Sequence, residues 1–335
     1  MKRLAGSILV PIPPARMIAS FTDLMTYARG DYTSSKRITS IFLHTRCKLK
    51  TNYWTAVCGE GFHHQVAIGD TVLAGGVGRI VESRCEGWNL GDVVRGGLGA
   101  QTFVDVATGQ LEKLTDTNLS LSTYLGILGG STGVTAWIGV RSVARPARGD
   151  IFVVSAAAGA VGSLAGQIAK REGATVIGIA GGARKKAYLV DQLGFDAAID
   201  YKSENIAKRL EELAPQGVNI FFDNVGGHVL DAVLDKIAMH ARVVICGAVS
   251  QYNNMDNVLG PSMYLRLAER RSRMEGFAYF HHPEEIPKAT KELKTWASDG
   301  SIILPEEILQ GIHRYPEALA FMFSGGNIGK LMIAV

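Results

Sequence analysis

A chain of 335 residues with 47% hydrophobic and 20% charged residues is long enough for two cores and too mixed in composition to be disordered or fibrous. Its four cysteines, Cys47, Cys58, Cys85 and Cys246, are too widely spread for a disulfide framework, which points to a reducing, cytoplasmic setting. The longest apolar runs, such as Ile151 to Ala158, fall far short of the roughly 20 residues of a membrane helix, so no membrane span is expected.

At the start of the chain Lys2 and Arg3 precede a short apolar run, Leu4 to Val10, which ends in Pro11, Pro13 and Pro14 without a cleavage pattern. A secretion signal is therefore not expected. Residues 1 to 59 carry nine basic residues against Asp23 and Asp31, a net +7 that leaves −3 for the rest of the chain. No nucleic-acid motif accompanies this basic opening, and no nucleic-acid partner is expected.

Residues 65 to 115 are Gly-rich and short-period, as in Gly75-Gly76-Val77-Gly78-Arg79-Ile80-Val81-Glu82 and Gly91-Asp92-Val93-Val94. Small antiparallel strands joined by turns, forming a compact β-barrel, fit that pattern. From Ile151 onward short apolar runs alternate with amphipathic stretches, the signature of a doubly wound parallel sheet. The expected strands are Ile151 to Ser155, Thr175 to Ala180, Ala197 to Asp200, Val218 to Asp223, Arg242 to Gly247 and Met274 to Phe280. The expected helices are Ala160 to Glu172, Lys185 to Leu193, Asn205 to Ala214 and Val229 to Met239. A last apolar strand, Lys330 to Val335, has no room to start a new domain and is expected to return to the first one.

After the first of the six strands comes Ala156-Ala157-Ala158-Gly159-Ala160-Val161-Gly162, small residues at G-x-G-x-x-G spacing with Ala157 in the first glycine position. Small residues let the backbone approach a pyrophosphate, and the helix beyond offers unpaired N–H groups. Alone this is a weak motif, for which a merely close-packed strand-to-helix turn is the alternative. The second strand adds discrimination, because it ends Ile179-Ala180-Gly181-Gly182-Ala183-Arg184-Lys185-Lys186. An acid there would bind a ribose 2′-OH; a glycine turn followed by three cations attracts a 2′-phosphate, so NADPH is expected over NADH. Cations at a helix N-terminus oppose its dipole, which favours an anion between them. Two further strand ends, Asp223-Asn224-Val225-Gly226-Gly227 and Cys246-Gly247-Ala248, lie where the ligand crevice of such a sheet opens.

The chain from about Val66 onward resembles the zinc-free medium-chain reductases of the leukotriene B4 dehydrogenase, prostaglandin reductase, alkenal double-bond reductase and curcumin reductase group. The resemblance rests on Gly130 to Trp137, Ala156 to Ser163, Lys185 with Ala187-Tyr188-Leu189, Tyr201-Lys202, Phe222 to Gly227, Ile245 to Ala248, Arg273 to Phe277 and Gly326 to Lys330. It implies an α/β fold with a Rossmann sheet at 124–299 and a GroES-like β-barrel substrate domain at 1–123, completed by 300–335. It implies that Ala158, Gly159, Ala160, Val161 and Gly162 meet the pyrophosphate, and that Gly182, Lys185 and Tyr201 form the 2′-phosphate region. Asn224 and Asn327 would hold the nicotinamide side, with Cys246, Gly247, Tyr252 and Phe277 also lining the cofactor. The implied reaction passes hydride from NADPH to the β-carbon of an α,β-unsaturated ketone or aldehyde, and a proton follows at the α-carbon. Such a reaction needs a hydroxyl donor for an enolate-like oxygen; Tyr264 is the expected donor or orienting group, with Tyr252 second. The resemblance also implies a homodimer.

Before residue 60 the family has a segment like V-D-P-Y-M-R-G, where this chain has Lys50-Thr51-Asn52-Tyr53-Trp54-Thr55-Ala56. Tyr53 alone stays in register and is the second candidate catalytic residue. Either this region is a divergent substrate lid or it does not represent the native reading frame. The spacings of Cys47, Cys58, His63, His64 and Cys85 match neither a catalytic nor a structural zinc set, so no metal is expected. Two alternatives accompany the enone reductase: an NADPH-dependent quinone reductase, and an NADPH-binding protein without turnover.

Overall fold

The computed structural model describes residues 42–48, 69–115, 118–252 and 257–335, the first segment by its backbone. Residues 1–41 and 49–68, with Tyr53, Cys58, His63 and His64, lie outside the described residues. Among the described residues, two six-stranded sheets organise the fold. The first is built from β1 (Phe42–Lys48), β2 (Gly75–Glu82), β3 (Val93–Gly97), β4 (Leu111–Lys113), β11 (Glu306–Gln310) and β12 (Lys330–Ala334). Its order is β11-β12-β1-β2-β3-β4. Strands from the two ends of the chain therefore interleave, with Cys47 opposite Ile333 and Gly76.

The second sheet is wholly parallel. It contains β5 (Ile151–Ser155), β6 (Thr175–Ala180), β7 (Ala197–Asp200), β8 (Val218–Asp223), β9 (Ile237–Ile245) and β10 (Arg273–Gly276). Their order, β10-β9-β8-β5-β6-β7, reverses between β5 and β8, and a doubly wound sheet opens a ligand crevice at such a point. Helices cover both faces, so the inner strands are buried throughout and read as unbroken apolar runs. Phe221 and Phe222 are both fully buried on opposite faces of β8 and belong to different cores, as the two-residue period of a strand requires.

The strands β5 to β8 have the bounds expected from sequence. The expected helix Val229 to Met239 is shorter: an α-helix covers Gly227–Leu234, and β9 begins at Ile237, five residues before the expected Arg242. The Val218 N–H donates to the Lys236 carbonyl at 2.8 Å, drawing the chain into the sheet, where Ile237 is buried. The left-handed φ of 60° at His240 then hides the strand from periodicity. The strand β10 stops at Gly276 rather than Phe280 because a 3-10 turn takes over at Tyr279–His281.

Sequence periodicity gives no sign of the helical stretch 130–144, which runs through a π-helical turn (Gly130–Val134), a short α-helix α1 (Thr135–Ile138) and a second π-helical turn (Gly139–Ala144). Its glycines disguise a helix, yet they let it pack closely: a Cβ on Gly139 would lie 2.5 Å from the Phe277 ring and 2.6 Å from Phe222. Phe152, Phe222 and Phe277 form a ladder with successive ring centroids 6.2 Å apart. Truncating its middle ring, Phe222→Ala, leaves a cavity under both neighbours and should destabilise the fold by about 3–5 kcal/mol. Denaturant unfolding checks this through a lower midpoint at unchanged slope.

Candidate functional site

The crevice forms where β5 and β8 end side by side. Directly after β5 the chain turns through Ala156, whose φ is 47°, and enters α2 (Ala160–Arg171) with Gly159 as N-cap. A Cβ on Gly162 would sit 2.5 Å from the Ala156 carbonyl oxygen, so glycine lets the helix press onto the turn. Ala157 and Ala158 are buried. The first N–H groups of α2 have no intrahelical carbonyl to satisfy them and form an anion-attracting end.

At the floor of the crevice Ser155 Oγ donates to Asp223 Oδ1 at 2.7 Å and accepts the Asn224 N–H at 2.8 Å. The Asp223 carboxylate also accepts the N–H groups of Val225 at 2.9 Å and Gly226 at 3.0 Å. Burial raises the Asp223 pKa, while these donors act in the opposite sense. The Asp223 carbonyl accepts the Cys246 and Gly247 N–H groups, tying the end of β8 to that of β9. Burial pushes the Cys246 thiol up to about 12, so its thiolate is not available near neutral pH. Tyr252 folds back over this end: its hydroxyl accepts the Ala248 N–H at 3.3 Å, and burial raises its pKa.

The second locus lies between β6 and β7. Gly182 is the N-cap of α3 (Ala183–Asp191) and has a φ of 93°, a left-handed conformation that favours glycine. Its N–H donates to Asp200 at 2.6 Å, and Asp200 also accepts from the Lys202 N–H and the Ser203 hydroxyl. Lys185 donates to the Gly325 carbonyl at 2.8 Å. Burial, then Lys202 and Arg184, hold its ammonium below the usual lysine range, against the pull of Glu307. Arg184 faces Glu307 at 3.5 Å. Tyr201 is exposed, and its ring lies 2.9 Å from where a Cβ of Gly181 would stand.

The three cations expected to share an anion are thus separated. Lys186 donates to both carboxylate oxygens of Glu204, at 3.0 and 2.9 Å, and Lys202 takes its place beside Lys185. The α-helical run of Arg184-Lys185-Lys186 points successive side chains in different directions, and the loop after β7 supplies the missing neighbour. Lys202 stands in a quoted motif, but nothing in a linear reading brings it to the β6 turn. Asp200 is visible as the acid that closes an apolar strand, whereas Glu307 comes from the other sheet without any local signal.

A seam joins the two sheets next to the α2 turn. The Gly329 N–H donates to the Ala158 carbonyl at 2.8 Å, and Gly329 pairs with Gly159 in an isolated bridge. Asn327 Nδ2 donates to the Gly329 carbonyl at 3.1 Å, and Lys330, buried, reaches Thr132 Oγ1 at 3.0 Å. The sequence-identified residues Ala158 to Gly162, Asn224, Cys246, Gly247, Tyr252 and Asn327 therefore gather around the strand ends and the seam. Phe277 directly follows β10 beside the end of β9, with its ring against Phe222 and the Gly139 contact. Tyr264 precedes the short helix Leu265–Glu269 and is 57% exposed. Its neighbours Ser262 and Met263 anchor to Asp231 on the helix Gly227–Leu234. Among the described residues no group of three or more His, Cys, Asp or Glu side chains could hold a metal ion.

Residues 160–295 match the family described as zinc-binding dehydrogenase. Among curated proteins the chain is 42% identical over 272 residues to a putative NADP-dependent oxidoreductase of Bacillus subtilis, covering 79% of each. It is 38% identical to the NADP-dependent 2-alkenal reductase of Nicotiana tabacum over 80% of this chain and 78% of that one. With the NADPH-dependent curcumin reductase of Escherichia coli it shares 36% identity, over 81% and 79%. Among solved structures, CurA of Vibrio vulnificus in complex with NADPH superposes with a TM-score of 0.83 at 31% identity, over 90% of this chain and 93% of that one.

The Gly182 and Ser203 hydrogen bonds hold Asp200 below the usual carboxylate range. A folded pKa below the unfolded 3.8 stabilises the protein above that pH, and the contribution is lost as pH falls through the folded value. Asp200→Asn should therefore flatten the acid limb of a stability–pH curve below about pH 4. Thermal melts of both proteins from pH 3 to 7 check this.

Proposed function

The chain belongs to the medium-chain dehydrogenase/reductase family, in the group of the alkenal, curcumin and prostaglandin reductases, and on that premise we propose that it reduces the carbon–carbon double bond of α,β-unsaturated ketones or aldehydes with NADPH. One observation carries this reading: the turn after β6 presents Gly182 and Lys185, with Lys202 alongside, in a chain whose curated relatives are named as NADP-dependent reductases.

The residues present fit the dinucleotide. Glycine at 162 lets the first turn of α2 press onto the Ala156 turn, with its unpaired N–H groups facing where a pyrophosphate would bind. Lys185 uses one of its three hydrogens on Gly325 and retains two for a phosphate, with the Tyr201 ring beside it. When bound, NADPH supplies the hydride. Asn224 and Asn327 hold its nicotinamide side, and a tyrosine hydroxyl donates to the oxygen on which enolate charge develops. Tyr264 is the proposed donor; Tyr252 is a second reading, favoured by its half-buried hydroxyl at the end of β9.

Residues 124–299 act as the cofactor unit, and residues 1–123 with 300–335 as the substrate unit; the division of strands between the two sheets supports this partition. A homodimer in the cytoplasm belongs to the same reading. It is in keeping with the free thiols of Cys85 and Cys246, and among the described residues no helix is long and apolar enough to cross a membrane.

Lys185→Ala removes a charge-assisted contact and should raise the KM for NADPH by roughly 10- to 100-fold, with little change for NADH. Steady-state kinetics with both cofactors test it, and equal losses would refute the 2′-phosphate assignment. The purified protein should oxidise NADPH with a 2-alkenal or a small enone and barely with the corresponding saturated ketone. Turnover confined to quinones would replace this reading with a quinone reductase. Tight NADPH binding without turnover of any conjugated carbonyl would make the protein a non-catalytic binder.

A further inference from the structure

The amide of Asn224 is fixed more firmly than a crevice side chain needs to be for packing alone. Its Nδ2 donates to the Ser155 carbonyl at 2.8 Å, its own N–H donates to Ser155 Oγ at 2.8 Å, and its carbonyl accepts the Val249 N–H at 3.1 Å. A backbone carbonyl only accepts, so the amide group facing Ser155 is the nitrogen. The oxygen Oδ1 is thereby turned away from Ser155, and among the described residues no donor is bonded to it. Asn224 is half-buried rather than closed off, so this oxygen is within reach of a ligand in the crevice.

The Ser155 carbonyl holds the amide nitrogen, and two fully buried side chains fix the Asn224 backbone from which that amide projects. Ser155 has one hydroxyl hydrogen, and it is directed at Asp223 Oδ1 2.7 Å away. The serine oxygen must therefore act as acceptor for Asn224. The Asp223 carboxylate is held in turn by the Val225 and Gly226 N–H groups, so it cannot rotate without stranding them in a site that excludes water.

We propose that Ser155 and Asp223 are positioning residues that clamp the Asn224 amide with its oxygen outward, as the acceptor for a hydrogen-bond donor of the bound dinucleotide. This rests on the cofactor reading above. The clamp acts through one atom, so removing it and removing the amide should have the same consequence for binding.

The test is a double-mutant cycle on NADPH affinity, read from nucleotide fluorescence with the full chain and without any carbonyl substrate. Ser155→Ala and Asn224→Ala should each weaken NADPH binding about tenfold, the worth of one lost hydrogen bond of this kind. The double variant should bind no more weakly than Asn224→Ala alone. Asp223→Asn, combined with Asn224→Ala in the same way, decides the matter if Ser155→Ala does not fold. A role in stability alone would lower the melting temperature while leaving affinity unchanged, and that result overturns the clamp, as does multiplication of the two single effects in the double variant. Wild-type protein that fails to bind NADPH would overturn the cofactor reading itself; wild-type binding that the variants leave intact overturns only the clamp.

Discussion

The hydrogen bond between Ser155 and Asp223 spans the one place in the parallel sheet where successive connections leave in opposite directions. The helices that follow β5 and β8 pack on opposite faces of the sheet, and the backbone groups between the two strand ends must be satisfied by something other than the ladder. A serine and an aspartate, both buried, take over that task and bind the two loops into one surface. Asn224 and the end of β9 are each attached to this pair by two bonds, and the α2 turn follows Ser155 directly, so the crevice is a rigid rim rather than a set of independent loops.

Charge is organised on a different principle at the β6 turn. Asp200 sits under the glycine turn as a counterpart to its N–H, and its oxygens are occupied by protein donors. The cations above it come from α3 and from the loop after β7, and the other sheet adds the opposing carboxylate of Glu307. Burial first, and then repulsion from Lys202 and Arg184, depress the pKa of Lys185. An anion of two negative charges relieves that repulsion, which is how a site gains affinity for a phosphate monoester without a dedicated pocket.

Much of this was legible in the sequence because parallel strands buried on both faces announce themselves as apolar runs with polar ends. The bounds of β5 to β8 followed from that, as did the residues at their carboxyl ends. Where tertiary contacts override local pattern the linear reading fell short. The Lys236 carbonyl draws β9 out of a helical periodicity, and the glycines of 130–144 conceal a helix whose neighbours need them small. The partition among Arg184, Lys185 and Lys186 depends on Glu204 and Lys202, more than a dozen residues away along the chain. Ser155 and Asp223 were visible as strand ends, but the clamp they make emerges only when β5 and β8 lie side by side.

The position of β12 has a consequence for how the molecule is made. That strand lies between β11 and β1, so β1 waits for a segment far along the sequence before its outer edge is paired. The same strand's approach, through Gly329, closes the seam onto Ala158. During synthesis the parallel sheet can therefore assemble from consecutive segments while the other sheet remains open on one side. Its completion is a non-local event, because β1 and β12 lie far apart along the sequence. The cofactor turn and β12 are thus joined in time as well as in space: the crevice acquires this wall when β12 takes its place beside β1.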